Sequence, residues 1–110
     1  MQLFHSTKKD TLIAHEGLCL TPDRGIHGEY GGTVFEVELN LEGAKVLEVE
    51  TNQDNYDNNS YPGDTWQERD AYTEDGVQIL VYRDWTVNGT EHTTYRVLDT
   101  SLVSSVELAD

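Results

Sequence analysis

The strongest alternation of apolar and polar residues in this chain lies between residues 33 and 50. Apolar side chains occupy every second position from Phe35 to Leu41, a pattern that is typical of a half-buried strand. Glu42-Gly43 predicts a tight reversal, and the apolar residues that follow it predict a returning strand. We therefore interpret residues 33–50 as a β-hairpin.

The rest of the chain divides into short elements separated by turn-forming residues. Thr65 and Glu68 have the spacing of a helix capping box, and Asn88-Gly89 is a strong hairpin-turn signal. These elements predict one α+β domain over residues 1–110, with a small mixed or antiparallel β-sheet core and two short helices. In chain order, the further predictions are a strand at 3–7, a helix at 9–16, a strand at 18–21, a glycine-rich loop at 24–32, an exposed loop at 51–64, a helix at 65–74 and strands at 77–82, 91–98 and 102–108.

The net charge of the chain limits the classes of molecule that it can bind. With 21 acidic against 7 basic side chains, the formal net charge is -14, which argues against direct binding to nucleic acid. Three interpretations stay open: solubility, docking onto a basic protein surface such as one that normally holds nucleic acid, and adaptation to high salt. Residues 48–76 are the most negative part, with nine acidic side chains against the single basic Arg69.

Several sequence features bear on location and on metal chemistry. No apolar segment approaches the roughly 20 residues that cross a bilayer, so we expect no membrane association. The single Cys19 suits a reducing compartment, and we expect a cytoplasmic protein. The four histidines lack zinc-ligand spacing, and phosphate-loop, His-Glu-x-x-His and Cys-x-x-Cys motifs are absent from the sequence. We therefore expect no metal site.

Three residues remain as an ordered set with a common chemistry. His5 ends the first predicted strand, Tyr30 lies in the glycine-rich loop, and Glu91 opens a late strand. A carboxylate stabilises the positive charge that develops when a leaving group departs from an anomeric carbon. An aromatic ring offers a stacking face, and a histidine can hydrogen-bond sugar hydroxyls.

These positions also resemble a known family, the compact mono-ADP-ribosyltransferases of the His-Tyr-Glu type. That family's first motif, an apolar strand ending in His-Gly-Ser/Thr, is similar to Leu3-Phe4-His5-Ser6-Thr7. Tyr30-Gly31 before a strand resembles the second motif, and the segment from Glu91 to Asp99 resembles the strand of the catalytic glutamate. The resemblance spans about residues 2–103 and implies an ADP-ribosyltransferase-like fold.

The resemblance implies that NAD is the co-substrate and that ADP-ribose is transferred to a macromolecular, mainly protein, acceptor. His5 would bind the ribose, while the backbone at Ser6 and Thr7 would hold the nicotinamide amide. Tyr30 would stack on nicotinamide, and Glu91 would be the catalytic residue.

Two alternatives accompany this interpretation. Tyr56 or Tyr61 could replace Tyr30 as the stacking residue. Small acidic transferases of this type also resemble phage-encoded inhibitors of bacterial defence or host enzymes, including anti-CRISPR proteins, for which a basic protein surface would be the target. The alternative function is a non-catalytic acidic protein that blocks such a basic, nucleic-acid-binding surface.

Overall fold

Seven strands in two adjoining sheets and two short helices form the part of the chain described by the computed structural model, residues 1–26 and 32–109. Single 3-10 turns precede the third and the last strand. The elements are β1 (Gln2–Thr7), β2 (Cys19–Leu20), β3 (Thr33–Leu39), β4 (Val46–Glu48), α1 (Gln53–Asn58), α2 (Trp66–Glu74), β5 (Ile79–Trp85), β6 (Glu91–Val97) and β7 (Val103–Leu108).

The strand order confirms the prediction of an α+β fold with mixed and antiparallel sheet. In the first sheet the order is β1-β3-β7, and both pairs are antiparallel. In the second sheet the order is β2-β6-β5-β4, where β4 runs parallel to β5 and the other pairs are antiparallel. Both helices therefore lie between two strands, β4 and β5, that are neighbours in one sheet.

The two sheets meet where β1 approaches the residue that follows β2. The backbone amide of Phe4 donates to the carbonyl of Thr21 at 2.8 Å, and the amide of Thr21 donates back at 3.0 Å. Side chains from both sheets then share one buried cluster, formed by Leu3, Leu18, Leu20, Val37, Leu39, Ile79 and Val97.

The predicted hairpin at residues 33–50 is wrong in its pairing. β3 lies between β1 and β7, while β4 lies at the edge of the other sheet. The half-buried strand that the alternation predicted is confirmed, because Phe35, Val37 and Leu39 are buried on one face of β3. Alternation fixes which face of a strand is buried but does not choose its partner, so it cannot separate a hairpin from two distant pairings.

The helix predicted at residues 9–16 is also wrong, since the chain is irregular there. Leu12 packs against the core, but Ile13 is 80% exposed, so the segment lacks an apolar face to bury. A single pair of helical turns without tertiary packing is marginal in water. The segment ends at Gly17, whose amide donates to the carbonyl of Val97 at 2.7 Å.

The exposed loop predicted at residues 51–64 contains the short helix α1. The side chain of Asn52 accepts from the amide of Asp54 at 3.0 Å, and Oδ1 of Asn55 accepts from the amide of Asn52 at 2.9 Å, which completes a capping box. Asn59 ends the helix with a left-handed backbone, φ 48°. Polar residues that favour loops also cap helices, so composition alone does not distinguish the two.

The elements after residue 64 agree better with the predictions from the sequence. Thr65 caps α2 by accepting from the amide of Glu68 at 3.2 Å. β5 and β6 form the expected hairpin, with Gly89 in the left-handed region at φ 83°. In the described part of the chain, neither helix has the length and apolar character needed to cross a membrane.

Two glycines allow the cost of backbone strain to be separated from that of steric overlap. A Cβ on Gly32, which has φ 81°, would lie 2.5 Å from the carbonyl oxygen of Thr7, whereas a Cβ on Gly43, at φ 71°, would meet nothing within 4 Å. We expect Gly43→Ala to lower the free energy of unfolding by about 1 kcal/mol through backbone strain alone. Gly32→Ala should lower it by about 3 kcal/mol because strain and steric overlap add. Urea unfolding measures both, and equal losses would contradict the overlap.

Candidate functional site

A cavity of about 160 Å³ lies where the two sheets adjoin, between β1, the end of β2 and the β5–β6 hairpin. Apolar side chains, among them Phe4, Leu20 and Ile26, form part of its wall. The polar residues that converge on it are His5, Ser6, Cys19, Thr21, Asp84, His92 and Thr94. A concave apolar space with a few convergent polar groups is the usual form of a small ligand site.

His5 is held in one orientation by the backbone. Its Nδ1 lies 2.7 Å from the carbonyl oxygen of Cys19. Because a carbonyl oxygen can only accept, Nδ1 carries the proton in this bond. Burial lowers the pKa of His5, with a smaller contribution from the nearby His15, although the bond to Cys19 acts in the opposite direction. The ring is therefore neutral near pH 7, and its Nε2 can only accept a hydrogen bond.

The β5–β6 hairpin brings a carboxylate and a second histidine to the cavity. Asp84 and His92 lie directly opposite each other in the strand register. Thr94 lies two residues after His92, on the same face of β6. Its hydroxyl donates to Oδ2 of Asp84 at 3.1 Å, and the amide of Trp85 donates to Oδ1 at 2.7 Å. These bonds fix the Asp84 carboxylate while leaving each oxygen capacity for a further donor.

The two ring nitrogens of His92 are buried, and within residues 1–26 and 32–109 neither has a hydrogen-bond partner. Each ring nitrogen of a histidine is either a donor or an acceptor, so two bonds are unmet. Buried polar groups in folded proteins are nearly always paired, with protein, water or ligand. His92 is consequently a buried polar group beside the cavity whose hydrogen-bonding needs the described residues do not meet.

Arg96 ties the loop before α2 to the second sheet. Its Nη1 donates to the carbonyl of Pro62 and to Oδ1 of Asp64, both at 2.8 Å, and its Nε lies 3.2 Å from the sulfur of Cys19. Tyr61, in the same loop, has its pKa raised to about 12 by burial and by the nearby Asp84 carboxylate. The most acidic part of the chain therefore reaches the wall of the cavity.

Glu91 does not line the cavity. It is not among the lining residues, and its side chain leaves β6 on the face opposite to that of His92. Oε1 of Glu91 pairs with Nη1 of Arg83 at 3.2 Å, and about half of each side chain is exposed. The Arg83 guanidinium also lies 5.8 Å from the centre of the Trp85 ring. The structure thus brings His5 together with Asp84 and His92 rather than with Glu91.

Of the other residues predicted to bind NAD, one lines the cavity, one does not, and one is not described. Ser6 lines the cavity beside His5, as placed by β1. Thr7 does not line it, and its hydroxyl accepts from the amide of Lys9 at 3.2 Å. Tyr30 lies outside the described residues.

Neither of the alternative tyrosines lines the cavity. Tyr56 packs edge-on against Trp85, with ring centres 6.1 Å apart. Tyr61 stacks on Tyr82, with ring centres 5.7 Å apart. Both rings are engaged in packing within the protein.

Sequence reasoning missed Asp84 and His92, because the sequence signal gives the hairpin but not its register. A two-residue turn at Asn88-Gly89 would place Asp84 opposite Thr93. The loop instead has three residues, 87–89, flanked by Thr86 and Thr90, and this register places Asp84 opposite His92. Alternation along β6 does assign His92 and Thr94 to one face and Glu91 to the other, but the similarity of Glu91 to a catalytic motif outweighed it.

The acidic segment, residues 48–75, forms a second candidate site on the surface. All nine of its carboxylates are on exposed residues, and among the described residues only Asp64 has an ion-pair partner, Arg96. Within α2, Arg69 and Tyr72 are the partly buried side chains, and Trp66 is 62% exposed. Spacing by four residues places Trp66, Asp70 and Glu74 in one row on the helix.

The chain matches no protein-family model, no curated protein and no solved structure. Within residues 1–26 and 32–109, no group of three or more His, Cys, Asp or Glu side chains is arranged to hold a metal ion. Any functional assignment therefore depends on the cavity and on the acidic segment.

The neutral state of His5 predicts a pH dependence of stability. Its pKa in the folded protein lies below the ordinary 6.5, so the unfolded chain binds more protons once the pH falls through 6.5. We expect the free energy of unfolding to decrease from pH 7 downward, until the pH reaches the lowered folded-state pKa. His5→Gln should reduce this slope.

Urea unfolding between pH 7 and pH 5 measures the effect. His15→Gln is the control, because His15 is exposed and has the smallest of the three influences on His5. An unchanged slope in His5→Gln would contradict the assignment of a neutral, buried ring.

Proposed function

We propose that the protein is a non-catalytic binding protein that docks through its acidic segment onto a basic surface of a partner protein. Such a surface includes one that normally holds nucleic acid. The observation that carries the proposal is the row of Trp66, Asp70 and Glu74 on α2, which presents an exposed aromatic ring beside carboxylates that lack ion-pair partners among the described residues.

The row is electrostatically unfavourable in the free protein. Asp70 and Glu74 are separated by four residues, and like charges at this spacing destabilise a helix. Lysine or arginine side chains of a partner would remove that repulsion. Trp66 adds a site for an arginine, because a guanidinium over an indole face is attracted and because tryptophan and arginine dominate the energetics of many interfaces.

The inner face of α2 supports a rigid presentation of this row. Nε of Arg69 pairs with Oε1 of Glu16 at 2.9 Å, and its Nη1 donates to the carbonyl of Gly63 at 2.8 Å. Tyr72 packs against a second buried cluster that includes Leu80 and Tyr82. The net charge of -14 would also accelerate association with a basic partner, with a rate that falls as salt is added.

A second candidate function is the transfer of ADP-ribose from NAD, in an ADP-ribosyltransferase-like fold. The observation that favours it is that His5 and Ser6 line one cavity. The chemistry requires a carboxylate close to the anomeric carbon, and Glu91 lies on the opposite face of β6. In the described part of the chain, the carboxylate that does line the cavity is Asp84. For this reason we rank the binding function first.

Charge reversal on α2 tests the binding function against general electrostatics. Asp70→Lys/Glu74→Lys should weaken binding to a nona-arginine peptide at least about tenfold, because local attraction becomes repulsion. Glu42→Lys/Glu107→Lys changes the net charge equally at exposed positions outside the acidic segment. This control should weaken binding by about threefold or less.

Fluorescence anisotropy at several salt concentrations measures both affinities. The same variants are then compared for displacing labelled DNA from a purified basic DNA-binding protein. Equal losses in the two double variants would show that net charge alone acts, and the proposal of a docking row on α2 would be abandoned.

The enzymatic alternative predicts a different dependence on Glu91. Under the binding function, Glu91→Ala leaves peptide binding unchanged, and the wild-type protein incubated with labelled NAD and candidate bacterial proteins transfers no label. NAD consumption and label transfer are measured together. Transfer that is lost in Glu91→Ala would establish the transferase and reverse our ranking.

A further inference from the structure

The cavity between the two sheets is rich in hydrogen-bond acceptors. Nε2 of His5 can only accept, since its Nδ1 is bonded to the Cys19 carbonyl. His92 also lines the cavity, and its two ring nitrogens are buried without a hydrogen-bond partner among the described residues. The Asp84 carboxylate already accepts from Thr94 and from the backbone, and the Tyr61 hydroxyl also interacts with it. Since a carboxylate has about four lone-pair sites, it can accept one more bond. An occupant with several N–H donors would complement these groups.

The charged residues of the cavity favour an occupant with a positive charge. Among the residues that the structure describes, no lysine or arginine lines it, and Asp84 is the one carboxylate that does. An anionic group would therefore enter without a counter-charge, and the net charge of -14 would oppose its approach. A cation would be attracted at long range and would pair with Asp84 at short range.

The size of the cavity limits the cation to a small group. Its volume is about 160 Å³, and a protein cavity of roughly 150 Å³ is large enough to bind benzene. A guanidinium group with one or two methylenes has a similar number of heavy atoms. The apolar wall, which includes Phe4, Leu20 and Ile26, would contact the carbon part of the molecule.

We propose that this cavity binds a compact organic cation, a guanidinium or primary ammonium group, with Asp84 as its counter-ion and His5 as a hydrogen-bond acceptor. The cation could belong to a free small molecule or to an arginine or lysine side chain of a protein. The second source rests on the proposed docking function. A docked partner could supply such a side chain, because Arg96 anchors the loop of the acidic segment beside the cavity.

The decisive comparison uses two nearly isosteric probes, methylguanidinium and neutral methylurea. Titration is followed by calorimetry and by the NMR signals of the His5 and His92 rings. We expect methylguanidinium to bind and to shift both ring signals, and methylurea to bind at least about tenfold more weakly because it lacks the charge that pairs with Asp84. Methylammonium, tested in the same way, shows whether an ammonium group also fits.

The source of the cation is distinguished by a second pair of probes, the blocked peptides Gly-Arg-Gly and Gly-citrulline-Gly. Tighter binding of the arginine peptide than of methylguanidinium indicates a protein side chain, whereas equal or weaker binding indicates a free small molecule. Both results support a cation site. Methylguanidinium binding does not involve α2, so it would survive a failure of the docking proposal.

Two single-residue variants test whether methylguanidinium binds at Asp84. Asp84→Asn should weaken methylguanidinium binding at least about tenfold. Glu107→Gln, which removes one charge from an exposed position on β7, should leave it unchanged. Thermal unfolding checks that both variants are folded, and if Asp84→Asn is not, the comparison of the two probes in the wild-type protein decides. Absence of methylguanidinium binding, equal binding of methylurea, or equal losses in the two variants would each overturn the proposal.

Discussion

The junction between the two sheets is the interaction on which the candidate site depends. The paired backbone bonds between Phe4 and Thr21 join β1 to the end of β2, and they bring the first sheet against the second. His5, next to Phe4, then bonds the carbonyl of Cys19 across the same junction. Because that bond fixes the ring and its tautomer, the junction determines both the position and the hydrogen-bonding character of one wall of the cavity.

The opposite wall depends on the register of the β5–β6 hairpin. Pairing of Asp84 with His92 places a carboxylate and an imidazole on the same face, while Glu91 is directed to the other face and pairs with Arg83. A shift of one residue would exchange these sets of side chains completely. The tight turn at Gly89 and the bond between Thr94 and Asp84 both oppose such a shift.

The acidic segment and the cavity are adjacent features with compatible chemistry. Arg96 holds the loop before α2 against β6, and Arg69 holds the helix against the loop that precedes β2. Both arginines use their charge within the protein, so they do not neutralise the exposed row on α2. Under the two proposals above, a partner with a basic surface would contact the carboxylates of α2, and one of its cationic side chains would enter the cavity.

The sequence by itself determined the elements whose signals are local. The Thr65 cap, the turn at Asn88-Gly89 and the buried face of β3 depend on neighbouring residues, so each was predictable, as was the concentration of negative charge. The tertiary structure alone decided the partner of β3, the irregular path of residues 9–16 and the meeting of His5 with Asp84 and His92. These outcomes depend on contacts between residues far apart in the chain, whose energies no local pattern contains. The same physical reason explains why a motif-based choice of Glu91 did not anticipate the site: the motif specifies a residue, whereas the register specifies the face on which it lies.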